Sequence, residues 1–137
     1  MAKMELPKRE DTIVEPQFAV LPIHENPGVT AVVLPDDRIG DPGEHGKDLL
    51  LLFLQGLCNR QRMPDLILLY GRGIRILEPG HPSVECLERL IALDVSIKVC
   101  EETLQEYGIE PAIPKVLPVP MREITQDILR ADRVIRP

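Results

Sequence analysis

Short apolar runs alternate along this chain with segments whose apolar residues recur at helical spacing. The clearest run, at residues 29–34, is rich in β-branched residues and is bounded by Gly28 and Pro35, as expected for a buried strand. The pattern predicts five strands, at residues 29–34, 65–70, 95–99, 115–119 and 133–135. It also predicts four helices, at residues 42–59, 81–93, 101–107 and 121–130. A glycine-rich turn at 71–73 and a short piece at 74–77 follow the second strand.

Strands that alternate with helices predict right-handed crossovers and an α/β domain whose parallel sheet is covered on both faces. In such sheets, functional sites gather outside the carboxyl ends of the strands. Three segments are expected at that edge: the loop at 36–47, the turn at 71–73, and Cys100.

The first 28 residues differ from the rest, because they carry four prolines and show no long period. We therefore divide the chain into an amino-terminal arm, residues 1–28, and an α/β domain, residues 29–137. The arm could lie extended across a neighbouring subunit, with one short strand at 18–21, or form a partly disordered tail.

Size and composition fit one globular domain: 137 residues, 44% hydrophobic and 28% charged. The longest apolar run, at 49–54, is far shorter than the ~20 residues of a membrane span. A net charge of −6 argues against nucleic acid as the main partner. Three widely spaced cysteines and no apolar signal core predict reduced thiols in the cytoplasm.

The apolar run at 49–54 covers every side of its predicted helix, so packing against one sheet cannot bury all of it. The remaining face predicts contact with another subunit, and therefore a homo-oligomer. Among the histidines and cysteines no metal-ligand spacing occurs, so we expect no metal. Sulfur transfer between thiols needs no organic cofactor, so we expect none for that function.

Cys100 is the main candidate for chemistry, because it stands between a predicted strand and a predicted helix. Unpaired N–H groups and the helix dipole favour an anion there, which helps a thiol to ionise. A thiolate attacks sulfur and can carry a persulfide. Glu101 and Glu102 act in the opposite direction. We expect the sulfur to be accessible to solvent at the carboxyl edge of the sheet, near backbone N–H donors. The alternative is a thiol that only packs.

Four further residues could support such a site. Gly71, Arg72 and Gly73 could bring backbone and positive charge towards a thiolate, although a plain tight turn explains the glycines equally well. His45, in the first turn of its helix, could face the same cleft as a base. Cys58 and Cys86 fit apolar helix stripes and are therefore expected to be core residues outside the candidate site.

Four pieces of the chain, GDPGEHGKDLLLLFLQGL, PDLILLYGRGIRI, HPSVECLERLIALDVSIKVC and ITQDILRADRVI, carry a family resemblance. The segment 30–135 resembles the DsrE-like family, and more closely the carboxyl-terminal domain of YedF-type proteins linked to sulfur and selenium metabolism. The resemblance implies a three-layer α/β/α sandwich with a mainly parallel sheet of about five strands, and an oligomer. It also implies persulfide chemistry on a cysteine after a strand, the position of Cys100.

The chain departs from that pattern in three ways. YedF-type proteins usually have Cys-Gly-Thr-Cys where this chain has Cys100 followed by Glu101, Glu102 and Thr103, so a second thiol is missing. Their usual Asn-x-Gly-Val turn is replaced by the segment that begins at Gly71. Residues 1–28 are too few for the TusA-like domain that precedes the family domain, so such a partner would be another chain.

Three functions fit the sequence. The first is a sulfur-relay protein or sulfurtransferase subunit that carries a persulfide on Cys100 and exchanges sulfur with donor and acceptor proteins. A TusA-like protein is one candidate partner. The second is a non-catalytic oligomeric interaction module. The third is a binder of small anionic ligands at the strand ends.

Overall fold

The computed structural model describes residues 28–59 and 61–137, so the predicted strand at 18–21 and almost all of the arm lie outside the described residues. The strands are β1 (Thr30–Leu34), β2 (Leu66–Leu69), β3 (Ser96–Cys100), β4 (Leu117–Val119) and β5 (Arg133–Ile135). The helices are α1 (Glu44–Leu57), α2 (Val84–Ala92), α3 (Glu101–Tyr107) and α4 (Met121–Arg130). Each agrees with a predicted element to within three residues at either end.

The sheet is parallel throughout, with the strands in the order β4-β3-β2-β1-β5. The chain starts in β1 and adds β2, β3 and β4 on one side. Helix α4 then leads back across the sheet, and β5 pairs with the other side of β1. Helices cover both faces, so the predicted three-layer α/β/α sandwich with a five-stranded parallel sheet is confirmed.

The larger core lies between the sheet and α1 with α2. Because side chains alternate along a strand, every second residue of β1, β2 and β3 faces these helices. Residues of α1 and α2 that are three or four positions apart lie on one side of each helix and pack against these strand side chains. The buried side chains of this layer include Val32, Leu34, Ile67, Leu69, Ile97 and Val99 from the strands, and Leu50, Leu54, Leu87 and Leu90 from the helices.

The smaller core lies on the opposite face, beneath α4. Ile124 of α4 is fully buried there against the other set of strand side chains. Those side chains are Ala31, Val33, Leu68, Cys100 and Val119. Cys100 is thus part of the layer that α4 covers.

The predicted turn at 71–73 is the start of a 3₁₀ helix, Gly71–Leu77, which includes the predicted short piece at 74–77. Its glycines allow a close backbone approach to the end of β1. A methyl group at Gly73 would lie 1.9 Å from the carbonyl oxygen of Leu34. Gly71 has a φ of +58°, and a methyl group there would lie 2.9 Å from the carbonyl oxygen of Pro35.

Strand β4 forms one edge of the sheet and contains Pro118, which is in register with Val99 of β3. Proline has no N–H to donate to a sheet, so it is tolerated at an edge strand and not in the middle. Within the described ranges, no helix combines the length and the apolar character that a membrane crossing requires.

Substitution of Gly73 tests the close approach to β1. We expect Gly73→Ala to lower the free energy of unfolding by about 3 kcal/mol, because the new methyl group can be accommodated only if backbone moves. Urea unfolding followed by circular dichroism measures the change.

Gly56→Ala is the matched control, because in the described part of the chain no atom lies within 4 Å of the methyl group that it would add to α1. It should be neutral or stabilising by up to about 1 kcal/mol, as expected when alanine replaces a helical glycine. Equal stabilities of the two variants would contradict the packing of the 3₁₀ helix on β1.

Candidate functional site

Cys100 is the last residue of β3 and the N-cap of α3, which places the thiol at the carboxyl edge of the sheet. Its side chain points to the face that α4 covers. There it packs in the smaller core with Val119 and Ile124, and only 3% of the residue is exposed.

The polar partner of the thiol is a carboxylate. The Cys100 thiol donates a hydrogen bond to Oε1 of Glu102 at 3.4 Å. The same oxygen accepts the backbone N–H of Met121, the first residue of α4, at 2.9 Å. One exposed carboxylate therefore joins the end of β3, the first turn of α3 and the start of α4.

This contact also sets the charge state of Glu102. The Met121 N–H, the backbone N–H of Glu102 itself and the Cys100 thiol all donate to its carboxylate, and together they lower its pKa below the ordinary value. N–H groups at the starts of α3 and α4 thus serve the Glu102 carboxylate, whereas the sequence predicted that those of α3 would face a thiolate. Glu102 is held as an anion beside the sulfur.

The structure differs here from the expectation of a thiol in an open mouth with backbone donors nearby. The sulfur is buried, and its polar neighbour accepts a hydrogen bond instead of donating one. The physical reason is that the last side chain of β3 follows the strand's alternation inwards beneath α4, while the longer Glu102 side chain reaches the helix ends. The position along the chain was predicted, and the exposure was not.

The glycine turn lies beside the first turn of α3 rather than beside the sulfur. The Gly71 N–H donates to Oγ1 of Thr103 at 3.4 Å, so the residue in place of the usual second cysteine contacts this turn. Gly73 packs on β1, as described above. Together these contacts give both glycines a structural role.

Arg72 points to another part of the strand-end edge. Its guanidinium donates to Oδ2 of Asp36 at 2.8 Å, and 59% of its side chain is exposed. In the part of the chain that the structure describes, it makes no hydrogen bond to Cys100 or Glu102. Its positive charge is therefore paired within the loop that follows β1.

His45 is exposed in the first turn of α1. Helix α1 packs on the face of the sheet opposite to the Cys100 side chain. The structure therefore does not bring His45 and the thiol together, because neighbouring residues of one strand face different layers. The turn at 71–73, in contrast, contacts α3, the helix that Cys100 precedes, through Thr103.

The two other cysteines lie partly buried in the larger core, as expected for residues on apolar helix stripes. Cys58 is the residue that ends α1, and Cys86 is in the first turn of α2. Burial raises the pKa of Cys86, and the nearby Cys58 and Glu85 raise it further. Both thiols are thus on the other side of the sheet from Cys100.

Lys98 is a charged residue that sequence reasoning missed. It faces the same layer as Cys100, and its ammonium donates to Asp127 at 2.7 Å and to Glu123 at 3.0 Å. Burial acts to lower the pKa of Lys98, but these two hydrogen bonds raise it overall. A lysine within a buried strand, and two acids four residues apart on a predicted helix, were the signals that could have revealed it.

Within residues 28–59 and 61–137, no group of three or more His, Cys, Asp or Glu side chains is arranged to hold a metal ion.

Comparison with known proteins gives the fold. No family model and no curated protein matches the chain. Among solved structures, the ychN protein from E. coli is similar, with 21% identity and a TM-score of 0.58 over 80% of this chain and 99% of that one. Protein MTH1491 of unknown function from Methanobacterium thermoautotrophicum has 18% identity and a TM-score of 0.60, over 80% and 99%.

A third structure, the conserved protein of unknown function BT1422 from Bacteroides thetaiotaomicron, has 11% identity and a TM-score of 0.59, over 81% and 96% of the two chains. At these identities the likeness concerns the fold alone. The chain has the DsrE/YchN-like fold.

Proposed function

We propose that this chain is a sulfur-relay subunit that carries a persulfide on the single cysteine Cys100. The observation that supports the proposal is the place of this cysteine, at the carboxyl end of β3 and the start of α3 in a DsrE/YchN-like fold. In the described residues, its side chain makes one hydrogen bond, to the exposed side chain of Glu102.

The proposed transfer has two steps, and neither needs a metal or an organic cofactor. In the first, the Cys100 thiolate attacks the outer sulfur of a donor persulfide. The sulfur–sulfur bond of the donor breaks, a new one forms on Cys100, and the donor leaves as a thiol that takes up the proton lost by Cys100. In the second, an acceptor thiolate removes the outer sulfur and Cys100 leaves as thiolate.

The missing second thiol determines which version of this chemistry is proposed. Thr103 stands where a resolving cysteine would be, and Cys58 and Cys86 lie on the other face of the sheet. We therefore propose release to another protein, without an internal disulfide. The proposed partners are a sulfur donor and a sulfur acceptor, and a TusA-like chain is a candidate for one of them. We place the protein in the cytoplasm, where thiols stay reduced.

A second candidate function is a non-catalytic interaction module of the same fold. The burial of Cys100 favours this candidate, because a thiol that is 3% exposed is shielded from reaction partners. Binding of small anions at the strand ends has less support. Arg72 is paired with Asp36 and Arg38 with Asp37, so the charges of that loop already neutralise one another.

We also propose that the chain forms a homo-oligomer through α1. Leu50 and Leu54 are buried under this helix, whereas Leu52 on its outer side is 60% exposed. Contact with a second copy of the chain would bury this leucine. Leu129 of α4 is also exposed, so the opposite helical layer has an exposed apolar side chain as well.

Intact-mass analysis tests persulfide carriage. After incubation with a persulfide donor, we expect the wild-type protein to gain the mass of one sulfur atom, because Cys100 accepts it. Peptide mapping should place this sulfur on Cys100.

Cys100→Ser should gain none, whereas Cys58→Ser and Cys86→Ser serve as matched controls and should load as the wild type does. Loading that survives Cys100→Ser would contradict the relay role of this residue. Absence of loading in every variant would favour the non-catalytic module.

Light scattering after size exclusion tests the oligomer. The wild-type mass should be a multiple of the 15.4 kDa chain mass, and Leu52→Glu should shift it towards one chain because it buries a charge in the contact. Gln126→Glu adds the same charge on the other layer and should leave the mass unchanged. A wild-type protein that elutes as a monomer would rule out the proposed contact.

A further inference from the structure

The two faces of the sheet are covered to different extents. Helices α1 and α2 lie over the larger core, whereas in the described residues the smaller core receives helical side chains from α4 alone. Five strands spaced by about 4.8 Å form a face about 19 Å wide, while a helix with its side chains is only about 10–12 Å across. One helix therefore covers only part of this face.

Helix α4 lies towards the β3 side of the face. Its residues Glu123 and Asp127 bind Lys98 of β3, whereas β1 and β5 are on the other side of β2. Successive residues of a helix are rotated by about 100°, so Leu129 is rotated by about 200° from Asp127. Its side chain therefore leaves α4 on the side away from Lys98, which is the side of β1 and β5.

Three apolar side chains are exposed on that side of the sheet. Leu129 of α4 is 72% exposed, Val134 of β5 is 42% exposed and Val29 is 40% exposed. Val134 is in register with Ala31, which packs in the smaller core, so both face the α4 layer. Val29 precedes Ala31 by two residues and faces the same layer. We call Leu129, Val134 and Val29 the β5-side patch.

The arm joins the domain beside this patch. Val29 follows Gly28 directly, and its N–H donates at 2.6 Å to Oδ2 of Asp132, which lies between α4 and β5. Gly28 has a φ of +85°, and a methyl group there would lie 2.7 Å from the same oxygen. Glycine adopts such a φ without steric cost, which allows the chain to change direction at the edge of the sheet. The exit of the arm is therefore fixed next to the end of α4.

We propose that residues 18–23 of the arm pack on the β5-side patch of their own chain and extend the cover of the smaller core. This segment, Phe-Ala-Val-Leu-Pro-Ile, is the longest apolar run of the arm. Removal of apolar side chains from water on both partners drives such a contact. The inference goes beyond the proposed function, because it does not involve Cys100.

The connection between the segment and the domain is long enough for this contact. Ile23 and Gly28 are five residues apart in sequence, so their Cα atoms can be up to about 17 Å apart. Val134 is level with Ala31, which is three residues, or about 10 Å of extended chain, from Gly28. Residues 18–23 can therefore reach the whole patch.

Two arguments favour the arm over a second copy of the protein as the occupant. Attachment at Gly28 keeps the arm close to the patch at every protein concentration, so it competes with other molecules at a high effective concentration. A stable interface between proteins involves about 20–30 residues a side, and three exposed apolar side chains supply only a small part of that.

Fluorescence quenching in the full-length protein tests the docking of the arm. The sequence contains no tryptophan, so Phe18→Trp introduces a single indole that reports on the surroundings of residue 18. We expect acrylamide to quench it about half as strongly as in a free peptide of residues 16–28 with the same substitution, because contact with the patch shields one face of the ring.

A second substitution in the Phe18→Trp protein identifies the contact. Leu129→Ser should restore quenching to the level of the peptide, because it removes the most exposed side chain of the patch. Leu52→Ser is the matched control, since it removes an exposed leucine from α1 on the opposite layer and should leave quenching unchanged. Circular dichroism verifies that each variant is folded.

Three results would overturn the proposal. The first is quenching of the Phe18→Trp protein as strong as that of the free peptide. The second is quenching that responds to Leu52→Ser and not to Leu129→Ser, which would place the arm on α1. The third is quenching that becomes stronger when the protein is diluted, which would identify the occupant of the patch as the arm of another copy.

Discussion

Successive side chains of β3 point to opposite faces of the sheet, and the position of every candidate group depends on this alternation. Val99 enters the layer of α1 and α2, whereas Lys98 and Cys100 enter the layer of α4. A thiol one residue earlier would have lain in the larger core. The chemistry available to Cys100 is therefore decided by the helix that covers it and by the residues that hold that helix in place.

Helix α4 is attached at two points to the strand that bears the thiol. Lys98 of β3 binds Glu123 and Asp127 in the body of α4. Glu102 accepts the N–H of Met121, the first residue of α4. The ion pairs are partly buried, where removal of one partner is costly because the other charge remains. The two contacts differ in their surroundings. The Lys98 ion pairs lie between α4 and the sheet, whereas the Glu102 hydrogen bond is at the exposed first turn of α4.

Much of the fold could be predicted from the sequence, because short apolar runs and helical spacing are local properties of the chain. The residues at 29–34 and 121–130 are examples, since their patterns alone indicated a strand and a helix that the structure contains. The contacts of the site could not be predicted, because they join distant segments. Glu102 contacts Met121 only because β4 lies next to β3. The order of strands in a sheet cannot be predicted from a local sequence pattern.

The glycines of the 3₁₀ helix show the same limit. Their sequence indicated a turn, but the need for Gly73 arises from the Leu34 carbonyl of a neighbouring strand. Lys98 is an intermediate case. The helical spacing of its two acidic partners is visible in the sequence, but their pairing with Lys98 depends on how α4 packs on the sheet.

Pro118 in the edge strand β4 has a consequence for how copies of this molecule can meet. Exposed strand margins usually invite strands from other molecules, and uncontrolled growth by that route leads to aggregates. A proline interrupts the ladder of N–H donors on which such growth depends. Growth of the sheet by addition of a further strand is thereby disfavoured at the β4 margin.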